Sequence, residues 1–466
     1  MTGFAHPAPL ESFAVGWPVA RADGRDDLRR FIAEPAYRTE FRLPGGQFAL
    51  CERDPSSGIV AVLRDPSATL PLHAHHDGRQ WLVSTSVRAI ERETGRPFAL
   101  RLEVLGQLHQ TFRLATDRSL YQDVHLIGPG AVHLLHPDGS VRRFDVCIEW
   151  PDRGEVRRLA CLNRHRRIEM ALEQVQRSVR DAAGGESISV QLSGGRDSNL
   201  ILHTASHLGL PVRAHGMVFP GLACDESGPM QTSCRMAGVA LTAVDYAGAG
   251  YEHWKDELFR LAEYPPFTTS FMSLQLARCA RDEGLQVVLN GMGGDEIFVC
   301  PTDRAIALWT RLGGACSVGS IPASGWARFL RALGRVAWSG RDASLRGQLV
   351  SGGWYFQMCV SQLLMETGCE LRLPFRDWRL VVRLLPLIAA AQLVSDRDAR
   401  AFQDELLDAL EPGLVRVAGL GKAVFNEVGL ARGPEDPELG GTAFGNFARL
   451  LPEFRDALKR MDRPCC

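Results

Sequence analysis

Between residues 187 and 290 short apolar runs alternate with amphipathic stretches, and few folds accommodate that rhythm. The runs at 187–192, 211–219, 239–245 and 285–290 have strand length, whereas 197–208, 227–237, 251–263 and 271–283 carry helical spacing. Regular succession of this kind implies a doubly wound α/β arrangement, a parallel sheet with covering helices. Such sheets bind ligands beyond the carboxyl ends of their strands. The loops leaving those ends, Ser193–Ser198, Pro220–Ser227 and Gly291–Glu296, hold the unusual residues. A charged helix over 157–183 ending at Gly184-Gly185 precedes the alternation. From about Ala305 onward the pattern is helical and is expected to cap one side of the sheet or form a substrate pocket.

The stretch before the linker at 149–154 reads differently. Apolar or alternating runs at Gln47–Cys51, Ile59–Leu63, Gln80–Ser84, Ala131–Leu135 and Val141–Val146 predict an antiparallel β-rich unit. His76-Asp77-Gly78 and Pro137-Asp138-Gly139 read as its hairpin turns. A chain of 466 residues with 45% hydrophobic content has room for two domains with sizeable cores. A net charge of −1 gives no electrostatic case for nucleic acid. No apolar run has the length of a membrane span and no basic-then-apolar leader is present, so a cytoplasmic protein without a membrane partner is expected. Twelve cysteines without a CxxC pair read as reduced, buried thiols, neither a disulfide frame nor a zinc site.

Ser193-Gly194-Gly195-Arg196-Asp197-Ser198 links an apolar run to a helix start. Glycines let the backbone approach an anion, hydroxyls add donors, and the helix N-terminus contributes about half a positive charge. A carboxylate at Asp197 fits such a place if it holds Mg²⁺. A plain strand-to-helix turn, with glycines for its geometry and Ser or Asp as the cap, is the alternative for the hexapeptide taken alone. The Walker ending Gly-Lys-Ser/Thr is absent, which disfavours γ-phosphate transfer.

The hexapeptide resembles the PP-loop of enzymes that cleave ATP to AMP and pyrophosphate. Together with Gly291-Met292-Gly293-Gly294-Asp295-Glu296-Ile297-Phe298 it resembles the asparagine synthetase and β-lactam synthetase superfamily, which pairs SGGxDS with GxGGDE(I/L)F. Phe219-Pro220-Gly221 through Asp225-Glu226-Ser227 fits as well. So does Glu370–Asp377, similar to ExRxPFLD with Arg376 in place of leucine. Gly46–Leu50, Arg64-Asp65-Pro66 with Pro71-Leu72, and Gly128-Pro129-Gly130 look like landmarks of the family's amidotransferase-type domain. The resemblance implies an Ntn-hydrolase-like β-rich sandwich over 1–150 and a PP-loop synthetase domain over 151–466 with a helical C-terminal section. It also implies ATP and Mg²⁺ as cofactors. Ser193, Gly194, Gly195, Asp197, Ser198, Val218 and Gly291 are then expected at the nucleotide, and Asp197 and Asp295 at the metal. Lys422, in Gly419-Leu420-Gly421-Lys422, resembles the family's catalytic lysine, which neutralises charge on the acyl-adenylate. Only three of the 53 basic residues are lysines, so its choice beside two glycines is pointed. The others, Lys255 and Lys459, sit in charged helical surroundings and read as solvated.

Departures narrow the expectation. Residue 2 is Thr2 where the family's glutaminase exposes cysteine, and the glutamine-binding strings are missing between Gly3 and Gly45, so the N-terminal domain is expected to be non-catalytic. Met292 replaces the family's glutamate or tyrosine, and the downstream partner falls near Gln357, so the general base goes unnamed. The pattern resembles a third class, the lasso peptide cyclases, which also lack a working glutaminase site, adenylate an Asp or Glu side chain and let the peptide's N-terminal amine attack. A precursor peptide, a leader peptidase and a leader-binding protein are the partners this implies; a small-molecule amide or β-lactam synthetase is the alternative. Glu296 fits a helix cap as well as a ligand, and Asp225 and Glu226 fit the cap of the helix at Ser227 as well as the site's mouth. Glu370 is expected to pair with Arg372 or Arg376. The His73-Ala74-His75-His76 cluster reads as a solvated hairpin end more readily than as a metal site.

Overall fold

The computed structural model describes residues 8–17, 21–104, 118–146, 148–149, 151–221, 225–246, 251–266, 270–298, 354–394 and 399–417. Thr2, Lys422, Lys459 and the stretch 299–353 of the expected helical section lie outside them. In the N-terminal part the strands are β1 (Phe13–Gly16), β2 (Phe48–Arg53), β3 (Val60–Arg64), β4 (His73–His76), β5 (Trp81–Ser84), β6 (His125–Leu126), β7 (Ala131–Leu135) and β8 (Val141–Asp145). They form two antiparallel sheets, ordered β1-β2-β3-β7-β8 and β5-β4-β6. Period-two alternation gives the central strands β2, β3 and β7 two buried faces. Ala49, Cys51, Val60 and Val62 pack with Ala74, Trp81 and Val83 of the smaller sheet. Phe48, Leu50, Ala61 and Leu63 pack with Leu28 and Phe31 of the helix Arg21–Ala33.

The C-terminal part holds a second five-stranded sheet, β9 (Ile188–Gln191), β10 (Val212–Val218), β11 (Leu241–Asp245), β12 (Val287–Asn290) and β13 (Glu370–Arg372). Its order is β11-β10-β9-β12-β13 and every pairing is parallel. The chain enters at β9, builds outward to β11, then returns to the other side of β9. That reversal opens a crevice between the carboxyl ends of β9 and β12, where ligands bind on such sheets. The helices Arg164–Ala183 and Arg196–His207 cover one face through Ile168, Val175, Leu200 and Ile201, which meet Ile188, Val190 and Leu289. This core also contains Leu28 and Phe31, so one apolar cluster runs through both parts. Among the described residues no helix is long and apolar enough to cross a membrane.

Three expectations are corrected. The single helix over 157–183 is two helices, Arg153–Ala160 and Arg164–Ala183. Asn163 accepts from Arg166 N at 2.8 Å and starts the second helix afresh, while the Arg167 guanidinium collects the carbonyls of Ala160 and Leu162 at the break. The helical reading of the C-terminal section fails at Glu370–Arg372, which forms edge strand β13: Cys369, Leu371 and Leu373 alternate inward and Pro374 forbids a helix through them. The HAHH cluster is strand β4 itself, not a solvated hairpin end, with His73 and His75 buried. Its rings go three ways, His73 Nε2 to Tyr264 Oη at 2.7 Å, His75 Nδ1 to the Asp123 carbonyl at 2.7 Å and His76 Nε2 to the Pro137 carbonyl at 3.1 Å.

The N-terminal landmarks are contacts to the C-terminal part. Gln47 Oε1 accepts from Leu373 N at 2.7 Å, Asp377 Oδ1 from Gly46 N at 3.3 Å, and the Arg376 carbonyl from Ser67 Oγ at 2.5 Å. Arg64, fully buried, donates to the carbonyls of Leu70 and Ala68 at 2.5 and 2.6 Å. Glu263 reaches back to accept from Val87 N at 2.9 Å and Arg88 N at 3.0 Å, capping the helix Val87–Thr94.

Candidate active site

The first loop is wired by its own side chains. Ser198 Oγ accepts from Ser193 N at 3.1 Å, Ser193 Oγ accepts from Gly195 N at 3.2 Å, and Asn199 Nδ2 donates to the Gly195 carbonyl at 2.7 Å. Gly195 is the N-cap of the helix Arg196–His207, which leaves backbone N–H groups at the helix start aimed outward. The N–H of Gly194 is taken from outside the loop, donating to Glu226 Oε2 at 2.9 Å. Burial raises the Glu226 pKa against the lowering effect of that bond. A carboxylate thus already occupies the loop's anion-binding amide. Asp225 serves the helix start instead, accepting from Ser227 N at 3.2 Å and Ser227 Oγ at 2.7 Å, and it also accepts from Phe219 N at 3.0 Å.

Close approach fixes the glycines of the second loop. A Cβ on Gly291 would lie 2.8 Å from Ser198 N, and one on Gly294 would lie 2.4 Å from Asp197 Cγ. The two loops therefore touch, with Asp197 between them. Gly293 has φ +97°, and its Cβ would strike Arg376 Cδ at 2.6 Å. The arginine that stands for leucine in Pro374–Asp377 is thus packed beneath this loop, buried, with Nε and Nη2 lacking hydrogen-bond partners. Val218 ends β10, and its carbonyl accepts from Tyr246 N at 3.0 Å.

Asp197 and Asp295 meet through residues that sequence reasoning missed. Arg400, on the helix Ala399–Leu410, donates from Nη2 to Asp295 Oδ1 at 2.7 Å and lies 3.7 Å from Asp197 Oδ1. Gln403 Nε2 donates to Asp197 Oδ1 at 2.5 Å. Burial first, then the charges of Asp295 and Glu296, push the Asp197 carboxyl up to about 6 against Gln403 and Arg400. Such a group gains from a nearby cation. The donor set suits Mg²⁺, which takes one or two carboxylates and completes its shell with phosphate oxygens and water. A guanidinium bridging both carboxylates stands where that cation is expected. The polar i, i+3, i+4 face of Arg400, Gln403 and Asp404, opposite buried Phe402 and Leu406, was the available signal. Arg196 Nε donates to Asp404 Oδ1 at 2.5 Å and ties the same helix to the first loop.

Met292 is half-buried against Phe356 and the apolar cluster of Val360, Leu364 and Leu371. Gln357 is buried with an unpartnered Oε1. Glu370 pairs with Arg372 Nη2 at 2.8 Å, the first of its two expected partners. Lys255 lies half-buried in the helix Tyr251–Leu261.

Residues 170–401 match the family model of asparagine synthase, spanning β9 to β13 with both loops and reaching Arg400. The chain belongs, through this region, to the asparagine synthase family. Membership makes it an ATP-using ligase, and the matched region contains both touching loops. Among solved structures, the U34-tRNA thiolase NcsA from Methanococcus maripaludis with its [4Fe-4S] cluster aligns at 14% identity, over 53% of this chain and 76% of that one, with a TM-score of 0.24. No curated protein matches the chain.

Proposed function

We propose that the protein joins a carboxylate to an amine by adenylation, and that its substrate is a peptide closed into a macrolactam. The carboxylate oxygen attacks the α-phosphorus of ATP and pyrophosphate leaves; the amine nitrogen then attacks the acyl carbon, AMP leaves with the oxygen, and the amine's proton passes to phosphate or solvent. The observation that carries this reading is the contact of the two loops around Asp197, with Asp295 bridged to it. Mg²⁺ there would neutralise the departing pyrophosphate. The backbone donor of Gly194, once Glu226 withdraws, and that of Gly195, once it leaves Ser193 Oγ, orient the phosphates. Lys422 is assigned the charge on the acyl-adenylate. Residues 1–150 are read as a non-catalytic glutaminase-like domain whose landmark residues brace the synthetase domain, 151–466.

The peptide is favoured over a small molecule because Met292 packs into an apolar cluster. No proton-accepting side chain stands at that position, and an amine held against its own adenylate needs positioning more than a base. The test supplies ATP, Mg²⁺ and a linear peptide with a free N-terminal amine and an internal Asp or Glu. Expected products are AMP, pyrophosphate and a peptide lighter by one water, with turnover lost in Asp197→Ala and Lys422→Ala. Full turnover in both variants would overturn the site assignment, and ADP in place of AMP would overturn the reaction. Activity on a small carboxylate and amine with the peptide inert would establish the alternative substrate class.

A further inference from the structure

Under the helix Ser270–Asp282 the second face of the parallel sheet is apolar at Val288 and Leu371 but polar along β9 and β10, where Ser189, Gln191 and His215 are buried. Gln191 Nε2 donates to the Ser273 carbonyl at 3.0 Å near the nucleotide end of the sheet. About 9 Å farther along that helix, six residues on, Cys279 and then Glu283 face β10. His215 of β10 is fully buried beneath them. Its Nδ1 shares a hydrogen with Ser189 Oγ at 2.9 Å. Its Nε2 has no hydrogen-bond partner and lies 3.5 Å from Glu283 Oε2. One ligand atom from each of His215, Cys279 and Glu283 falls within 4.8 Å of the other two.

We propose that His215, Cys279 and Glu283 bind a zinc ion that clamps the helix Ser270–Asp282 to β10, apart from the nucleotide loops. Nitrogen, sulfur and oxygen together select a borderline-soft ion, since Mg²⁺ and Ca²⁺ take oxygen alone. Bond lengths of about 2.0–2.3 Å in a tetrahedron put ligand atoms roughly 3.3–3.8 Å apart. The His215–Glu283 separation of 3.5 Å already meets this, and a thiolate swing of about 1 Å brings in the sulfur. A thiolate and a carboxylate balance the dication, and the fourth position takes water.

Supporting groups are in place. Ser189 holds the imidazole with Nε2 toward the ion, Thr242 Oγ1 donates to Glu283 Oε1 at 2.8 Å, and Arg213 Nη1 donates to Glu283 Oε2 at 3.1 Å. No CxxC pattern announces the site, because a strand and one helical turn supply its ligands.

The full chain, stripped of metal with chelator, is titrated with Co²⁺ as the probe and then with Zn²⁺. Expected are one equivalent of Co²⁺ bound with tetrahedral visible bands and a thiolate charge-transfer band, both abolished by stoichiometric Zn²⁺. Cys279→Ser, nearly isosteric, is expected to lose the charge-transfer band and at least about a hundredfold in affinity; Ser189→Ala, a positioning variant, loses about tenfold. Absence of the bands in the unaltered protein overturns the proposal. So does their persistence in Cys279→Ser, which would place the metal on another of the twelve cysteines.

Discussion

Replacing Asp197 with asparagine is expected to make the free protein more stable while removing its activity. The structure holds this carboxyl between two loops, with burial as the largest effect on it, and its pKa rises from 3.8 to about 6. A folded pKa above the unfolded one means that the native state holds the proton more tightly. The group's stabilisation is therefore complete below about pH 4 and lost as pH rises through 6. A shift of about two units corresponds to about 3 kcal/mol of destabilisation at pH 8. Asparagine removes the charge, and its carbonyl still accepts from Gln403, while Arg400 keeps its 2.7 Å contact with Asp295. Thermal unfolding of the ligand-free protein should then show Asp197→Asn melting roughly 3–5 °C higher at pH 8. The gap should narrow below pH 6 and close near pH 4. Pyrophosphate release should fall to background, and Mg²⁺ with ATP should stabilise the unaltered protein much more than the variant. No gain at pH 8, or a gain that does not change with pH, would refute the electrostatic account of Asp197.

Two further outcomes follow from the same geometry. Gly294→Ala places a methyl group 2.4 Å from Asp197 Cγ, so the loops must part; ATP binding measured by calorimetry should drop at least about tenfold while circular dichroism is unchanged. Arg400→Ala frees Asp197 and Asp295 of their bridging guanidinium, so a calorimetric Mg²⁺ titration without nucleotide should show tighter binding, by roughly tenfold.

The sheet strands and the helices between them were legible because each is a local pattern: four to seven residues of apolar run, then helical period, then a glycine loop. Observed bounds such as Val212–Val218 and Ser227–Ala237 fall within two residues of the expected ones. The two loops were legible for a related reason, since Gly291 and Gly294 leave room for a neighbouring backbone whether or not that neighbour is known. Arg400 and Gln403 were not. They reach Asp197 from about two hundred residues downstream, and only packing of Phe402, Leu406 and Leu407 on the shared core decides that their polar face meets the loops. Glu226 was missed as a partner of Gly194 because an Asp-Glu pair before a helix has an adequate local use, which Asp225 alone fulfils. The strand β13 was hidden by its length, three residues being too few to set a period against the helices on either side.

The free protein holds both charges that a metal and a phosphate would bring. Glu226 sits on the amide of Gly194, and Arg400 bridges Asp197 and Asp295. Under the proposed function, entry of a phosphate with its cation would exchange an anion for an anion and a cation for a cation, and neither loop would pass through a state with a bare charge. Unpaired, the half-buried Asp197 would sit higher still in pKa and Gly194 would lose a partner for its N–H. These contacts hold the loops closed on each other without a ligand, which is what preorganisation for the proposed nucleotide would require. It also makes binding a competition: the net affinity is the gain from phosphate and metal less the cost of releasing Glu226 and Arg400. Salt should weaken that competition little, because like charges replace like.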